Sequence, residues 1–412
     1  MKNAIFTICA KNYLAQALTL QETVCRHNPD VDFFLFISDL KDSPEVPDSV
    51  VELDEEWIPA WRQMAFKYSV IEFSTSIKPF CFAKLFKAGY DRVIYLDPDM
   101  YVMADLTPVF SMLEAKSIVL SPHYCNIQID YTGSVPEEEL LWVGIYNLGF
   151  GAIKNDEVGR KIVEWWCNRL ENKCYADPID GLHVDQKWLD FVPGFFPNDV
   201  HITHHMGINP AIWNLHEREL EITAEGTYMI RNTESKELFP LLFFHFSGFD
   251  PFNPTVLNRR HSKYGIEQFP SFKPLIDEYV VAEYRNGYDK FSKLCYSFNS
   301  FENGENIMPI HRRIYRSLEQ KVADPNPFAV ESRIYRLLQT NKLLSGIKSS
   351  AFKTFSPGET AKKGRFVILL RQLLCLVKKT FGIRYYMALL NNLTELTRYE
   401  NQRFLIKKFP KD

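Results

Sequence analysis

The sequence predicts an α/β fold, with a mixed, mainly parallel sheet flanked by helices and a helical extension at the C-terminal end. Short apolar runs rich in β-branched and aromatic residues alternate with segments whose apolar residues recur at helical spacing. The strand–helix–strand order over residues 4–37 also indicates a right-handed parallel unit. Beyond about residue 260 the strand-like runs disappear, so the rest of the chain is expected to be helical.

The individual elements of the N-terminal part follow from these patterns. Strands are predicted at residues 4–9, 33–37, 92–96, 117–120, 143–153 and 241–246. One helix is predicted from about residue 14 to 27, and another begins near 75 or 76 and ends at Gly89. A further helix begins at Thr107 as the N-cap, with Pro108 at the first helical position. The last has Asn155 as the N-cap and runs to residue 169. The acidic segment 122–141 is predicted to be an irregular loop, and loops of this length usually carry function.

Length and composition indicate a globular chain with more than one unit. At 412 residues it exceeds the size at which a single hydrophobic core stops growing. We expect a main domain over 1–260, a helical linking region over 261–330 and a basic helical extension over 331–412. The eight cysteines include no C-x-x-C pair, and the first residues enter a strand pattern without a charged and apolar leader. Both features predict a cytoplasmic protein with reduced cysteines.

Positive charge is concentrated at the C-terminal end. Residues 331–412 hold 17 Lys and Arg against five Asp and Glu, although the net charge of the whole chain is −3. Such asymmetry indicates a tail that meets an anionic surface. The apolar runs 366–370 and 373–377 surround Arg371 and are too short to span a bilayer. We expect either peripheral contact with the inner face of the cell membrane or packing against the rest of the chain. Nucleic acid is not expected, because no binding motif accompanies the charge.

The functional interpretation starts from the segment 92–99. An apolar strand runs directly into Asp97-Pro98-Asp99. The proline ends the ladder of hydrogen bonds, which places both carboxylates at the carboxyl end of the strand, where open α/β sheets bind ligands. Two oxygen ligands held close together favour a hard divalent cation such as Mn²⁺ or Mg²⁺. The simpler alternative is a solvated turn after a core strand.

Five further motifs accompany this one in a fixed order. The set comprises Asn12-Tyr13 after the first strand, Lys78, Asp97-Pro98-Asp99, Asn147-x-Gly149, Asp185-Gln186 and His245-x-x-Gly248. Over roughly residues 1–250 this order resembles the nucleotide-sugar-dependent, metal-dependent glycosyltransferases with a single Rossmann-like sheet, the GT-A type. It looks most like bacterial surface-polysaccharide enzymes related to glycogenin and to lipooligosaccharide galactosyltransferases. Each motif alone is weak, but six in family order are fairly specific.

The resemblance implies a role for each motif. The donor-binding set would be Ala10, Asn12, Tyr13, Lys78, Asp97, Asn147, Gly149 and Gly248, the metal ligands would be Asp97, Asp99 and His245, and the catalytic residues would be Asp185 and Gln186. In this scheme Tyr13 stacks on the nucleobase and Lys78 counters the pyrophosphate. Each residue also has a structural alternative, such as a satisfied core histidine for His245 or a helix N-cap for Asp185.

The chain departs from the family pattern at Asp250-Pro251. The family often has a Lys-Pro at this point that contacts the β-phosphate, and Arg259 and Arg260 are candidates to replace it here. Farther upstream, Asn209, Trp213 and His216 are expected to form an acceptor wall, because an indole face packs well on a sugar ring.

The activity implied by the resemblance is hexosyl transfer from a nucleotide diphosphate sugar, usually UDP-linked in this family. The acceptor would be a glycan or a lipid-linked saccharide in cell-surface polysaccharide synthesis. A haloacid-dehalogenase-type phosphatase is an alternative that also places D-x-D after an apolar strand. Its motif lies near the N-terminus and continues with a small residue and Thr, whereas Met100-Tyr101 follow here. A non-catalytic, membrane-associated scaffold that retains the fold is the other alternative, and it would bind neither metal nor nucleotide.

Overall fold

The computed structural model describes residues 1–40, 46–260, 265–344, 346 and 364–409, with the backbone alone for 364–367. The strands are β1 (Asn3–Cys9), β2 (Asp32–Ile37), β3 (Val50–Glu52), β4 (Arg92–Leu96), β5 (Met100–Val102), β6 (Ile118–Leu120), β7 (Phe150–Lys154), β8 (Ala176–Asp177), β9 (Leu182–His183), β10 (Val200–Ile202), β11 (Arg218–Ile222), β12 (Tyr228–Asn232), β13 (Leu238–Pro240) and β14 (Phe243–His245). The α-helices are α1 (Leu14–His27), α2 (Trp61–Lys67), α3 (Val70–Ser76), α4 (Lys78–Lys87), α5 (Thr107–Ala115), α6 (Glu137–Val143), α7 (Glu157–Lys173), α8 (Gln186–Leu189), α9 (Val192–Phe195), α10 (Lys273–Arg285), α11 (Tyr288–Phe291), α12 (Pro309–Val322), α13 (Arg333–Thr340) and α14 (Gly364–Leu396).

A seven-stranded sheet forms the centre of the fold, with the strand order β10-β6-β7-β4-β1-β2-β3. The pairs β1–β2, β1–β4, β2–β3 and β6–β10 are parallel, and β7 runs antiparallel to both of its neighbours, β4 and β6. Strands β1 and β4 are almost completely buried, as expected for strands covered by helices on both faces. The predicted mixed, mainly parallel sheet with flanking helices and a helical C-terminal region is therefore confirmed.

The chain divides into two compact units. Unit 1 comprises Met1–Trp61 and Val70–Ser297, and unit 2 comprises Arg62–Ser69 and Phe298–Asp412. Unit 1 contains the seven-stranded sheet, a three-stranded antiparallel sheet of β11, β12 and β13, and the short antiparallel pair of β5 and β14. The division predicted from the sequence, at residues 260 and 330, stays a prediction.

Unit 2 is organised around a buried arginine on α12. The guanidinium group of Arg312 donates to the backbone carbonyl oxygens of Ala65, Phe66 and Tyr68 at 2.7–3.0 Å. These carbonyls belong to the end of α2 and the residue just beyond it, where helical carbonyl groups lack intrahelical partners. The cation therefore satisfies acceptors that would otherwise be buried without a hydrogen bond.

The C-terminal helix α14 carries exposed apolar side chains on its described part. The large exposed side chains of its first half are Ile368, Leu369, Leu370, Leu373 and Leu376. The helix is interrupted at Gly382, where a φ of 79° favours glycine. Across the described ranges, no helix combines the length and the apolar character needed to cross a bilayer.

Four local predictions were wrong. The predicted strand 143–153 is the end of α6, a turn and then β7, because the side chain of Asn147 accepts a hydrogen bond from the backbone N–H of Gly149 and holds the chain in a turn. The segment 122–141 is irregular only as far as Pro136, and α6 begins at Glu137.

Two of the wrong predictions are helix N-caps. The predicted N-cap Thr107 is the first residue of α5, and Leu106 is its N-cap. The predicted N-cap Asn155 instead donates to two backbone carbonyls outside α7. Asp156 caps that helix by accepting from the N–H of Gly159 at 2.8 Å.

Gly159 provides a test of packing at the start of α7. A Cβ atom at this position would overlap the backbone carbonyl oxygen of Lys154, whereas a Cβ at Gly194 in α9 would meet nothing within 4 Å. We expect Gly159→Ala to lower the free energy of unfolding by about 1–3 kcal/mol, as overpacked sites do. Gly194→Ala should be neutral or slightly stabilising, because alanine is the better helix former. Urea unfolding of both variants checks this, and equal stabilities would contradict it.

Candidate active site

A cavity of about 840 Å³ lies in unit 1 where β1 and β4 end. All the residues that the resemblance implied as site residues line it, namely Ala10, Asn12, Tyr13, Lys78, Asp97, Asp99, Asn147, Gly149, Asp185, Gln186, His245 and Gly248. They come from six separate stretches of the chain. The fold therefore gathers all six motifs at one place, at the carboxyl ends of two central parallel strands.

Asp97, Asp99 and His245 form a compact cluster in the cavity wall. The two aspartates lie in the turn between β4 and β5, and β5 pairs antiparallel with β14 in a register that sets His245 opposite Met100. The Nε2 atom of His245 lies 3.2 Å from Oδ1 of Asp99 and 3.7 Å from Oδ2 of Asp97. One ligand atom from each of the three residues lies within 4.8 Å of the others. This spacing is suitable for one shared cation.

Asn209 orients the ring of His245. The amide Nδ2 of Asn209 donates to Oδ1 of Asn147 at 3.1 Å, so its own Oδ1 is an acceptor. That oxygen lies 3.2 Å from Nδ1 of His245, so Nδ1 is the ring nitrogen that donates to Asn209. Nε2 is left to face the two carboxylates. A ring nitrogen and two carboxylates held this close together are a donor set that fits a divalent metal ion.

Gly149 allows the backbone to approach this cluster closely. A Cβ atom there would overlap the ring of His245 and would lie 2.9 Å from both Oδ1 of Asn147 and Oδ2 of Asp97. The carbonyl oxygen of Gly149 accepts from the N–H of Asp97 at 2.7 Å. The hydroxyl of Tyr95 donates to Oδ1 of Asp97 at 2.5 Å. The Asp97 carboxylate is thus oriented by fixed neighbours, which is what a metal ligand requires.

Lys78 and Asp185 form a buried ion pair next to the cluster. The Nζ atom of Lys78 lies 2.6 Å from Oδ2 of Asp185 and donates to the carbonyl oxygen of Leu148 at 2.7 Å. Its charge also lies 4.1 Å from the centre of the Tyr95 ring. Burial raises the pKa of the Asp185 carboxyl, and the ammonium group opposes that rise. The side-chain amide of the neighbouring Gln186 is hydrogen-bonded at both ends. Its Oε1 accepts from the backbone N–H of Leu148, and its Nε2 donates to the carbonyl oxygen of Val143.

The residues after β1 form another part of the wall. The backbone N–H of Lys11 donates to Oδ1 of Asp39 at 2.7 Å, which fixes the short 3₁₀ helix that carries Asn12 and Tyr13. The Oδ1 atom of Asn12 is buried and has no hydrogen-bond partner within the described residues. Burial and the nearby charge of Asp99 raise the pKa of Tyr13. An unused acceptor beside an aromatic ring suits a planar ligand that carries an N–H group.

A further part of the wall is formed by the chain that follows β14. Gly248 has a φ of 69°, and a Cβ there would lie 2.9 Å from Nδ2 of Asn258, so glycine is required on both grounds. Arg259 and Arg260 also line the cavity. The guanidinium group of Arg259 lies 3.8 Å from Asp250. These arginines are cations that face the cavity and are available to an anionic ligand.

Sequence reasoning missed one residue that shapes the site, His123, and assigned another, Asn209, to a different place. Asn209, predicted as part of an acceptor wall, is buried behind His245 instead, and no local pattern indicates that contact. His123, from the predicted loop, lines the cavity, and burial lowers its pKa to about 4, so the ring is neutral near pH 7. Trp213 does line the cavity, and its ring meets those of His123 and His245 edge to face.

No family model matches the sequence. Two similar proteins are both described as uncharacterized and come from Bacillus subtilis strain 168. YfnF is 27% identical over 268 residues, which are 60% of this chain and 82% of YfnF. YfnD is 23% identical over 257 residues, which are 59% of this chain and 76% of YfnD.

Several solved structures are similar in fold. The galactosyltransferase LgtC, in complex with donor and acceptor sugar analogues, has a TM-score of 0.39 and 17% identity over 67% of this chain and 95% of LgtC. The apo glycosyltransferase GlyE of Streptococcus pneumoniae TIGR4 has a TM-score of 0.37 and 18% identity over 73% of this chain and 67% of GlyE. Mouse xyloside xylosyltransferase 1 has a TM-score of 0.33 and 13% identity, over 49% of this chain and 85% of that protein. These three solved structures are glycosyltransferases. The Asp97–Asp99–His245 cluster of this chain is compatible with a metal site of the D-x-D type.

Proposed function

We propose that this chain is a metal-dependent glycosyltransferase that moves a hexosyl unit from a UDP-linked sugar to a hydroxyl group of a glycan or lipid-linked saccharide. Cell-surface polysaccharide synthesis is the process we assign to it. The observation that carries the proposal is the convergence of six sequence motifs on one cavity at the carboxyl ends of β1 and β4. A chance D-x-D turn would not bring the other five motifs to the same cavity.

Asp97, Asp99 and His245 would hold Mn²⁺ or Mg²⁺. Their fit to a cation rests on three converging acceptor atoms within 4.8 Å of one another and on the room that Gly149 leaves beside them. When bound, such a cation neutralises charge on the leaving diphosphate as a Lewis acid. The protein contributes the orientation, because Asn209 orients the ring of His245 and Tyr95 fixes the carboxylate of Asp97.

Two groups of side chains in the cavity wall suit the two ends of a nucleoside diphosphate. The unused Oδ1 of Asn12 would accept the N3–H of uracil, whereas cytosine has no hydrogen at N3. Tyr13 would stack on the base. Arg259 and Arg260 would meet the phosphates, because the charge of Lys78 is already committed to Asp185. This assignment favours uridine over cytidine as the nucleoside.

Asp185 would stabilise the positive charge that develops at the anomeric carbon during transfer. A carboxylate in a dry site acts on such charge more strongly than one in water. Lys78 favours the ionised form of this buried group and holds it in position, and Gln186, whose amide is hydrogen-bonded at both ends, would hold a hydroxyl of the transferred sugar. The acceptor would enter past Trp213, whose buried Nε1 has no hydrogen-bond partner within the described residues.

The basic C-terminal region would hold the enzyme at an anionic membrane surface. Arg371, Lys378 and Lys379 are exposed on α14 together with its apolar side chains, so the helix offers the mixture of charge and apolar area that binds in the plane of an interface. Lys362 and Lys363, which belong to the same predicted segment, lie outside the described residues. This placement suits an acceptor that is carried on a lipid.

The metal site is tested by Asp99→Asn. We expect the variant to lose Mn²⁺-dependent binding of UDP and to lower the transfer rate at least about 100-fold, because an amide cannot neutralise the cation. Calorimetric titration of UDP, with CDP for comparison, and release of UDP from UDP-hexoses measure both effects. Asp105→Asn, at an exposed position outside the cavity, is the matched control.

Three outcomes would contradict the proposal. Full activity of Asp99→Asn, or of the wild-type protein in excess chelator, would remove the metal role. Phosphomonoester hydrolysis without a sugar acceptor would favour the phosphatase alternative. Absence of both metal and nucleotide binding in the folded protein would favour the scaffold.

The positioning role of Asn209 predicts a graded series. Asn209→Ala removes the acceptor for the Nδ1–H of His245 and should weaken Mn²⁺ binding about 10–100-fold, as loss of a supporting contact does. Asn209→Asp keeps an acceptor there and should retain more of the affinity. Mn²⁺ titration of the folded variants, with melting temperatures as a control, distinguishes this from general destabilisation. Equal metal affinity in all three proteins would rule the role out.

The tail is tested by neutralising its charge. Each basic residue near an anionic leaflet contributes about 1 kcal/mol, so Arg371→Gln, Lys378→Gln and Lys379→Gln together should weaken binding to phosphatidylglycerol vesicles about 100-fold at low salt. The matched control replaces the exposed Lys87, Lys293 and Lys321 by Gln in the same protein. Equal effects of the two triple variants would show that α14 has no special part in membrane binding.

A further inference from the structure

A second cavity lies in unit 1, apart from the candidate active site. Its volume is about 430 Å³, within the range of about 300–1,000 Å³ that is typical of small-molecule sites. It is lined by residues of α5, β10, β12 and β13 and of the loops after β6, β10 and β12. None of these residues lines the first cavity. We call it the edge cavity, because β10 is the last strand of the seven-stranded sheet.

Two asparagines on the wall of the edge cavity have side-chain amides of fixed orientation. The Oδ1 atom of Asn232 accepts from the backbone N–H groups of Glu234 and Ser235 at 2.8 and 3.1 Å. Because these groups can only donate, the bonds identify Oδ1, and the Nδ2 of Asn232 is left to donate to Oδ1 of Asn126 at 3.5 Å. In return, Nδ2 of Asn126 donates to Oδ1 of Asn232 at 3.1 Å. An amide Nδ2 carries two hydrogens, so each asparagine keeps one for a ligand.

His205 adds a third donor to the wall. The backbone N–H of Gly207 donates to Nδ1 of His205 at 3.2 Å. A ring nitrogen that accepts a hydrogen bond carries no hydrogen, so the ring is neutral and its hydrogen is on Nε2. Burial also lowers the pKa of His205, which favours the same neutral form. The backbone N–H of His205 donates to Oγ1 of the buried Thr203 at 3.2 Å, which holds this residue in place.

The wall around the asparagine pair is anchored from behind by a buried carboxylate. The backbone N–H groups of Cys125 and Asn126 donate to the side chain of Glu217 at 2.8–3.0 Å. Glu217 is fully buried and pairs with the guanidinium group of Arg218. A site whose donors are already held in place loses little conformational entropy when it binds a ligand.

The charges around the edge cavity disfavour an anionic ligand. The exposed carboxylate of Glu237 lines it, and no lysine or arginine of the described residues does. Burial and the nearby charge of Lys116 lower the pKa of His201, so this ring is neutral near pH 7. The ammonium group of Lys116 itself donates to the carbonyl oxygen of Asn198 at 2.6 Å. A phosphate or carboxylate ligand would thus meet a negative charge, with no cation on the wall to balance it.

The three histidines of the edge cavity, His201, His204 and His205, do not form a metal centre. In the described part of the chain, the cluster in the first cavity is the one group of three His, Cys, Asp or Glu side chains close enough to share an ion. Burial raises the pKa of Cys125, which keeps it a thiol, whereas metals bind the thiolate. The expected ligand is therefore an organic molecule without negative charge.

Hydroxyl groups match the polar part of the edge cavity, because each hydroxyl can accept from an N–H group and donate to a carboxylate. The cavity also offers apolar surface from Met112, Met206 and Phe239. A sugar ring carries hydroxyl groups at its rim and C–H groups on its faces, so it fits both kinds of surface. We propose that the edge cavity binds a neutral saccharide and is a saccharide site of unit 1 outside the candidate active site.

This site does not depend on the proposed transfer reaction. Binding at the edge cavity needs neither a metal ion nor a nucleotide, so it is measured in excess chelator and without a donor. A negative result there would leave the test of Asp99→Asn unaffected, and the converse also holds. In the proposed glycosyltransferase, such a site would hold a glycan chain away from its reacting end.

The first experiment measures binding of three neutral disaccharides, lactose, maltose and cellobiose, to the full chain by ligand-observed NMR. We expect at least one to bind, and Asn126→Ala combined with Glu237→Ala to weaken its binding at least about tenfold, because two hydrogen-bonding groups are lost. The matched control is Glu157→Ala combined with Asn198→Ala, at exposed positions outside both cavities. The control should bind like the wild-type protein, and melting temperatures verify that both double variants are folded.

The second experiment locates the bound disaccharide with diethyl pyrocarbonate, which modifies neutral imidazoles. We expect the disaccharide to protect His201, His204 and His205 from modification, as measured by mass spectrometry. His27, which lies outside both cavities, should stay equally reactive. Protection of His183 in the first cavity, without protection of the other three, would overturn the proposal.

Two further results would also overturn it. One is that none of the three disaccharides binds, and the other is equal affinity of the wild-type protein and Asn126→Ala/Glu237→Ala. Protection of the three histidines by Zn²⁺, and by no disaccharide, would assign the edge cavity to a metal ion instead.

Discussion

The pairing of β14 with β5 is the constraint on which the candidate site depends. Asp97 and Asp99 are placed by the end of β4, but His245 comes nearly 150 residues later and reaches them only because it pairs opposite Met100. The histidine then needs one more long-range partner, Asn209, which accepts from Nδ1 and leaves Nε2 to face the carboxylates. Strand pairing and this hydrogen bond together bring three potential metal ligands within 4.8 Å of one another.

The buried pair of Lys78 and Asp185 determines where charge is available in the cavity. Both side chains are almost fully buried, so removing either one would leave the other as an unpaired buried charge, which is strongly destabilising. The ammonium group of Lys78 is therefore not free to neutralise phosphates while it is paired with Asp185. Arg259 and Arg260, which follow Asp250-Pro251 in the sequence, also line the cavity and are exposed.

The parts of the fold that sequence could predict are those set by local patterns. The apolar run before Asp97, together with Pro98, predicted the end of β4 correctly. The alternation of strands with helices predicted the mainly parallel sheet. The segment 143–153 was assigned wrongly because Asn147, whose side chain holds a turn, lies in an apolar run that resembles a strand. The contacts of Asn209 with His245 and Asn147 could not be predicted, because they join residues far apart in sequence, and Asn209 adopts a φ of 57° that no periodicity reveals.

The ionisable groups that line the cavity complement the ligand that we propose. Burial lowers the pKa values of His123 and His183 to about 4, so these imidazoles are neutral near pH 7 and contribute no positive charge. Lys78 and Asp185 pair with each other, and the other charged side chains that line the cavity are the two carboxylates of the cluster, Glu139 and the two arginines. A divalent cation would balance the two carboxylates of the cluster, and the two charges of a nucleotide diphosphate sugar would balance the arginines. Because the cation and the diphosphate also attract each other, each should favour binding of the other.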